Sequence, residues 1–186
     1  LATGLYSANA ARTLNSNVEE RIRYETGADI VLESEWESNE LPEWEDPESG
    51  EVASPFQREP VLYQEPPFAV YGSLPGVERA TRVFVEEEAV AQLPTGTWLR
   101  RVRFMGITPH EFGRIAWFRP DLLPYHWFGY LNLLSQNEKA AIVSASFAEE
   151  HQVRLGDRLQ LNWAEQGYLE GVVYGFVEFW PAFNPF

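Results

Sequence analysis

Near the start of the chain apolar residues recur at steps of three and four: Ala8, Ala11, Leu14, Val18 and Ile22 fall between Ser7 and Thr26. That spacing places them on one face of a helix. Asn9, Arg12, Asn15, Asn17, Glu19, Glu20 and Arg23 lie opposite, and Gly27 is its natural stop. Upstream, Leu1, Ala2, Leu5 and Tyr6 carry almost no polarity. The shift reads in two ways: as a helix leaving a membrane, or as an amphipathic surface helix at the start of a domain. Asp29 to Glu33 (DIVLE) follows as a short apolar run between Gly and acids, which by length and β-branching predicts a buried strand.

The pattern then breaks. From Glu33 to Glu51 stand nine acids and no base, interrupted by Pro42, Pro47, Ser49 and Gly50, which predicts a long, exposed and mobile loop. Pro55, Pro60, Pro66 and Pro67 continue the punctuation, with Val61–Tyr63 and Phe68–Tyr71 as possible short strands. Regularity returns after Leu74-Pro75-Gly76. Val83 and Val85, then Trp98, Val102, Phe104 and Ile107, lie in β-rich runs separated by Pro94-Thr95-Gly96, the pattern of a hairpin. Thr108 caps and Pro109 opens a predicted helix whose Phe112 and Ile115 face inward.

From Arg119 to Gln136 aromatic residues are dense (Tyr125, Trp127, Phe128, Tyr130), and Pro120 and Pro124 argue against one long helix. Ala141–Val143 reads as a strand and Ser144–His151 as a short helix. Arg158–Trp163 and Leu169–Phe179 read as paired strands joined at Gln166-Gly167. Ahead of them Gly156-Asp157 is a turn feeding an alternating strand. No internal repeat is present.

Composition narrows the function. Twelve Phe, eight Tyr and seven Trp in 186 residues exclude a wholly disordered chain. A net charge of −14 repels phosphate backbones, so nucleic acid is not an expected partner. Of fourteen cations only Lys139 is lysine, and no polybasic cluster is there to read anionic lipid. Cysteine is absent, which removes disulfides, thiolate catalysis and zinc–thiolate sites and leaves the compartment open. No run of about eighteen apolar residues is long enough to span a membrane. The chain begins at Leu1 without an initiator methionine and reads as an excised fragment.

Motifs for chemistry are missing. There is no phosphate loop, no dinucleotide-binding glycine pattern and no nucleophile elbow. His110, His126 and His151 stand apart without metal-ligand spacing, and no calcium-loop pattern occurs, so neither a metal nor another cofactor is expected. Among twenty-eight acids some pair always suits a glycosidase, with Trp36 and Trp44 as sugar-stacking rings, but a solvated acidic face explains the same residues. A carbohydrate- or peptide-binding surface using Trp36, Trp44, Trp127 and Tyr125 is the alternative from the binding class, and these four are the candidate contact residues.

The order of pieces resembles the extracellular region of bacterial ABC-transporter permeases of the FtsX/MacB type, over nearly the whole chain. Ala8-Asn9-Ala10-Ala11-Arg12-Thr13-Leu14, Glu20-Arg21-Ile22-Arg23-Tyr24 and Gly27-Ala28-Asp29-Ile30-Val31-Leu32 resemble the helix leaving the first membrane span and the strand after it. Leu74-Pro75-Gly76-Val77-Glu78-Arg79-Ala80-Thr81 and Arg103-Phe104-Met105-Gly106-Ile107 resemble the approach to the β region. Ala141-Ile142-Val143-Ser144, Phe147-Ala148, Leu155-Gly156-Asp157 and Val172-Val173-Tyr174-Gly175-Phe176-Val177 are similar to the smaller β-lobe and its closing strand. The acidic stretch matches nothing in the family.

The resemblance implies an α+β fold: a stalk helix over residues 1–26 continuing from a truncated membrane span, then an extracellular domain over 27–186. Within that domain lie an acidic, proline-rich loop (33–60) and, at about 116–186, a smaller β-rich lobe. It also implies no catalytic residues, membrane spans on both sides, a cytoplasmic ABC ATPase that drives the permease, a second permease copy in a dimer, and a position on the extracellular or periplasmic side.

Overall fold

We describe residues 2–34, 37–38, 63–163 and 168–183 of a computed structural model. Helix α1 runs unbroken from Ala2 to Thr26, about 38 Å at 1.5 Å per residue, and is continuous across the predicted interval. Gly27 ends it with φ +75°, and its N–H donates to the carbonyl of Arg23 at 2.8 Å. The amphipathic pattern predicts that the apolar stripe packs inward beyond the N-terminal end of the helix. Instead Leu14, Val18 and Ile22 are 64%, 57% and 56% exposed, and Tyr24 is the buried one among the described side chains of the helix. At 100° per residue, the mean direction of Glu20 and Tyr24 lies about 140° around the helix from that of Leu14, Val18 and Ile22, so docking uses a different face.

The strand expected at Asp29–Glu33 is also corrected. Residues 30–34 have no regular structure, and Ile30, Val31 and Leu32 are exposed. β-branching favours a strand only where a neighbouring strand supplies the ladder and a surface to pack on, and here none is paired.

Residues 32–78 form one compact unit and residues 1–31 with 79–186 another. In the first, β1 (Glu37–Ser38) pairs antiparallel with β2 (Tyr63–Gln64). Phe68–Tyr71, expected as a strand, contributes instead to the single helical turn α2 (Ala69–Gly72). The carbonyls of Pro67 and Phe68 accept from Val70 and Tyr71 N–H, which brings the rings of Phe68 and Tyr71 within 6.0 Å. Most of the acidic stretch, with the mobility expected of residues 35–50, lies outside the described residues, as do Val61 and Leu62 of the short strand expected there.

The larger unit is α+β. Strands β3 (Val83–Gln92) and β4 (Trp98–Ile107) form the expected hairpin, closed by Gly96 N–H to Leu93 O and Leu93 N–H to Thr97 O, both 2.9 Å. Register shifts flank Ala89, and Arg101 takes φ +60° where β4 bulges. Then follow α3 (Pro109–Ile115), α4 (Trp127–Ser135), β5 (Ala140–Ser144), α5 (Ala145–His151), β6 (Arg158–Asn162) and β7 (Tyr168–Val177). Thr108 is the N-cap residue of α3 by position, without a side-chain cap bond, and Phe112 is buried as expected. Ser144 Oγ caps α5 by accepting from Phe147 N–H at 3.2 Å.

The sheet order is β4-β3-β6-β7-β5, antiparallel throughout except for the parallel β5–β7 pair. Residues 116–186 thus supply three of the five strands, and the β3–β6 pairing joins them to the hairpin in one sheet. Two cores flank it. Phe112, Phe118, Leu123, Tyr130, Leu131, Val177 and Trp180 form an aromatic cluster. Leu93, Ala148, Val153, Leu159 and Val173 form an aliphatic one. Ile142 packs on the first and its neighbour Val143 on the second, so the clusters occupy opposite faces.

Candidate functional site

The tertiary hydrogen bonds, ring contact and ion pair described for α1 lie in its C-terminal turns. Its last turns are gripped by two segments distant in sequence. Trp117 N–H donates to Gly27 O at 2.8 Å, and Ala182 N–H donates to Tyr24 O at 3.1 Å. The Trp117 ring meets Tyr24 edge-on, centroids 6.4 Å apart. Arg119 reaches Glu20 at 3.5 Å while its guanidinium also forks onto Asp121. The fork holds the Asp121 carboxyl below the usual carboxylate range and raises Arg119 further, chiefly through their hydrogen bonds.

Backbone geometry closes the joint. A Cβ on Gly27 would lie 2.8 Å from that of Ala182, and Ala182 itself holds φ +59°, a left-handed conformation disfavoured for alanine. Trp180 and Phe183 bridge around it, and Arg103 lies 5.1 Å over the Phe183 ring. Behind the joint Trp180 stacks on Phe112 (6.1 Å) and meets Phe118 edge-on (5.2 Å). The Tyr24 hydroxyl is buried with no hydrogen-bond partner among the described residues, and burial pushes its pKa well above the ordinary phenol range.

The joint offers hydrogen bonds, ring contacts and one ion pair, a set suited to holding an orientation. Among the described residues no three His, Asp or Glu side chains converge on a possible metal position. His126 Nδ1 accepts from Phe128 N–H at 3.3 Å at the start of α4, and His151 packs edge-on against Phe147. Of the four candidate contact residues, Trp36 and Trp44 lie outside the described residues. Trp127 is half-buried and stacks on Phe118 with ring centroids 5.5 Å apart, whereas Tyr125 is 76% exposed.

Sequence reasoning passed over Tyr24, Trp117, Arg119 and Ala182. One signal was there: Tyr24 is an aromatic residue off the apolar stripe, close to the glycine that ends the helix. Among the described residues no helix is long and apolar enough to cross a membrane. In comparisons with known proteins, no family model and no curated protein matches the chain.

Proposed function

We propose that this chain is the extracellular domain of a bacterial ABC-transporter permease of the FtsX/MacB type, a module that passes ATPase-driven movement outward and performs no catalysis itself. The observation that carries the reading is the unbroken α1 attached by its C-terminal turns to two separate segments of the domain. A helix of that length moves as a lever when its far end is displaced, and the joint at Tyr24 and Gly27 delivers the displacement to Trp117 and Ala182. The order of sequence pieces supports the same reading. In it, membrane spans flank the chain, a cytoplasmic ATPase drives it, a second permease copy completes the dimer, and this domain stands on the extracellular or periplasmic side.

Two experiments test it. The parent gene should encode apolar spans of about 20 residues on both sides; their absence removes the proposal. In the full-length permease, Val18→Pro should kink α1 at a cost of about 3 kcal/mol. ATP hydrolysis should then continue while transport is lost. Normal transport at normal expression overturns the lever mechanism.

A further inference from the structure

Strand β4 lies at the edge of the five-stranded sheet, with β3 on one side and, among the described residues, no strand on the other. In an antiparallel ladder, pairs that exchange hydrogen bonds alternate with pairs whose main-chain groups turn outward. Leu93 N–H donates to Thr97 O at 2.9 Å, so the next pair, Gln92–Trp98, and, two further on, Val90–Arg100 are of the outward kind. Gln92 and Val90 accordingly face β6, with which both are in register. Trp98 and Arg100 turn their N–H and C=O groups to the open edge, where no main-chain partner meets them among the described residues. The bulge at Arg101 ends this short open register.

The two side chains also share a face, being two residues apart. Trp98 is 48% exposed, and its ring meets that of the exposed Tyr168 across the sheet, centroids 6.2 Å apart. Beside it Arg100 is exposed in a shallow cleft of about 490 Å³ that Glu88, Val90 and Arg101 also line. The neighbouring carboxylates are already engaged. Glu86 accepts from Glu88 N–H at 2.9 Å, Glu87 meets Arg103 at 3.5 Å and Glu88 meets Arg101 at 3.8 Å. Register through Gln92 and Gln160 puts Glu170 on the face of Trp98 as well, and Glu170 is paired with both Lys139 and Arg158. Arg100 is left with no carboxylate among the described residues, a surplus cation in a chain of net charge −14.

An open edge is completed by an extended peptide, whose own N–H and C=O groups continue the ladder. A surplus guanidinium selects a carboxylate, which can accept two of its N–H donors at once. A residue two positions along the incoming strand falls on the same face, against the Trp98 ring, where an aromatic side chain adds a ring contact to its burial. A sugar supplies no ladder, and a neutral or basic peptide leaves Arg100 unmatched. We propose that the edge of β4 at Trp98 and Arg100 binds an extended acidic peptide as an added strand, with a carboxylate on Arg100 and an aromatic ring on Trp98.

The test is calorimetric titration of the 186-residue chain with an acetylated octapeptide in which threonine alternates with glutamate and phenylalanine in turn. Its counterparts are the same peptide with lysine for glutamate, the same peptide N-methylated at alternate amides in either phase, and an oligouronate as an acidic ligand without a peptide ladder. The glutamate peptide should saturate the protein. N-methylation should abolish binding in one phase and spare it in the other, as a single bonded edge requires. Arg100→Gln and Trp98→Ala, both at exposed positions, should each weaken binding at least tenfold, while Arg154→Gln, ahead of β6, binds as the parent does. The proposal is overturned if the glutamate peptide does not saturate, if the lysine peptide or the oligouronate binds as tightly, if both N-methylation phases behave alike, or if Arg100→Gln and Trp98→Ala both retain parental affinity. It is overturned too if sedimentation shows a dimer that Arg100→Gln dissolves, since a second copy of the chain would then hold the edge.

Discussion

The two cores of this sheet are made of different material. Beneath α3 and α4, Phe112, Phe118 and Trp180 meet face-on and edge-on at fixed angles, and Tyr130 joins them. Beneath α5, Leu93, Val153, Leu159 and Val173 pack without such directional contacts. Aromatic pairs add an orientational preference to burial, whereas branched aliphatics mainly fill volume. The directional core is the one that continues into the joint, through Trp117–Phe118–Arg119 and Trp180–Pro181–Ala182. Directional ring packing is concentrated where the long helix is attached.

That contrast can be broken most directly by emptying each core in turn. Trp180→Ala should cost about 3–5 kcal/mol and Leu159→Ala about 2–4 kcal/mol in urea unfolding. Hydrogen exchange separates them further: only Trp180→Ala should expose the amides of Trp117 and Ala182, which bond α1. Equal deprotection by both variants would mean that the aromatic core has no special relation to the helix.

A smaller effect is expected inside the joint. Gly27→Ala would place a side chain at φ +75° and 2.8 Å from the Ala182 Cβ. Destabilisation of about 2 kcal/mol or more should follow, with the thermal transition lowered accordingly. A neutral result would show that Gly27 and Ala182 separate readily and that the attachment is loose. The smallest change should have the opposite sign. Removing the unpartnered hydroxyl with Tyr24→Phe relieves a desolvation penalty and should stabilise by about 1 kcal/mol, read from the denaturation midpoint. A loss of stability would reveal a partner for that hydroxyl.

Elements with local punctuation were legible in the sequence. Alternation around Pro94-Thr95-Gly96 marked the hairpin, Thr108-Pro109 the start of α3, and Ser144 the start of α5. Gln166-Gly167 marked the pairing of β6 with β7. Helix α4 was obscured because Pro120 and Pro124 stand just ahead of it and its aromatic residues show no single face. Ile30-Val31-Leu32 misled because β-branching says nothing of whether a partner strand will arrive. The docking face of α1 was missed for a related reason. Two of its holds are main-chain atoms of Tyr24 and Gly27, which leave no trace in a hydrophobic pattern, and the partners of the Tyr24 and Glu20 side chains, Trp117 and Arg119, lie about a hundred residues away in sequence. Likewise Trp98 and Tyr168 are joined only by a register that crosses four strands.

The hold of Ala182 on Tyr24 also fixes an order of events during synthesis. Tyr24 leaves the ribosome well before Ala182, so the residues between them must be made before this hold on α1 can form. Contacts so remote in sequence close late, after the local hairpins have formed. Until then the helix waits with its Leu14, Val18 and Ile22 stripe and its Tyr24 face both uncovered, in the state most open to chaperones and to misassociation.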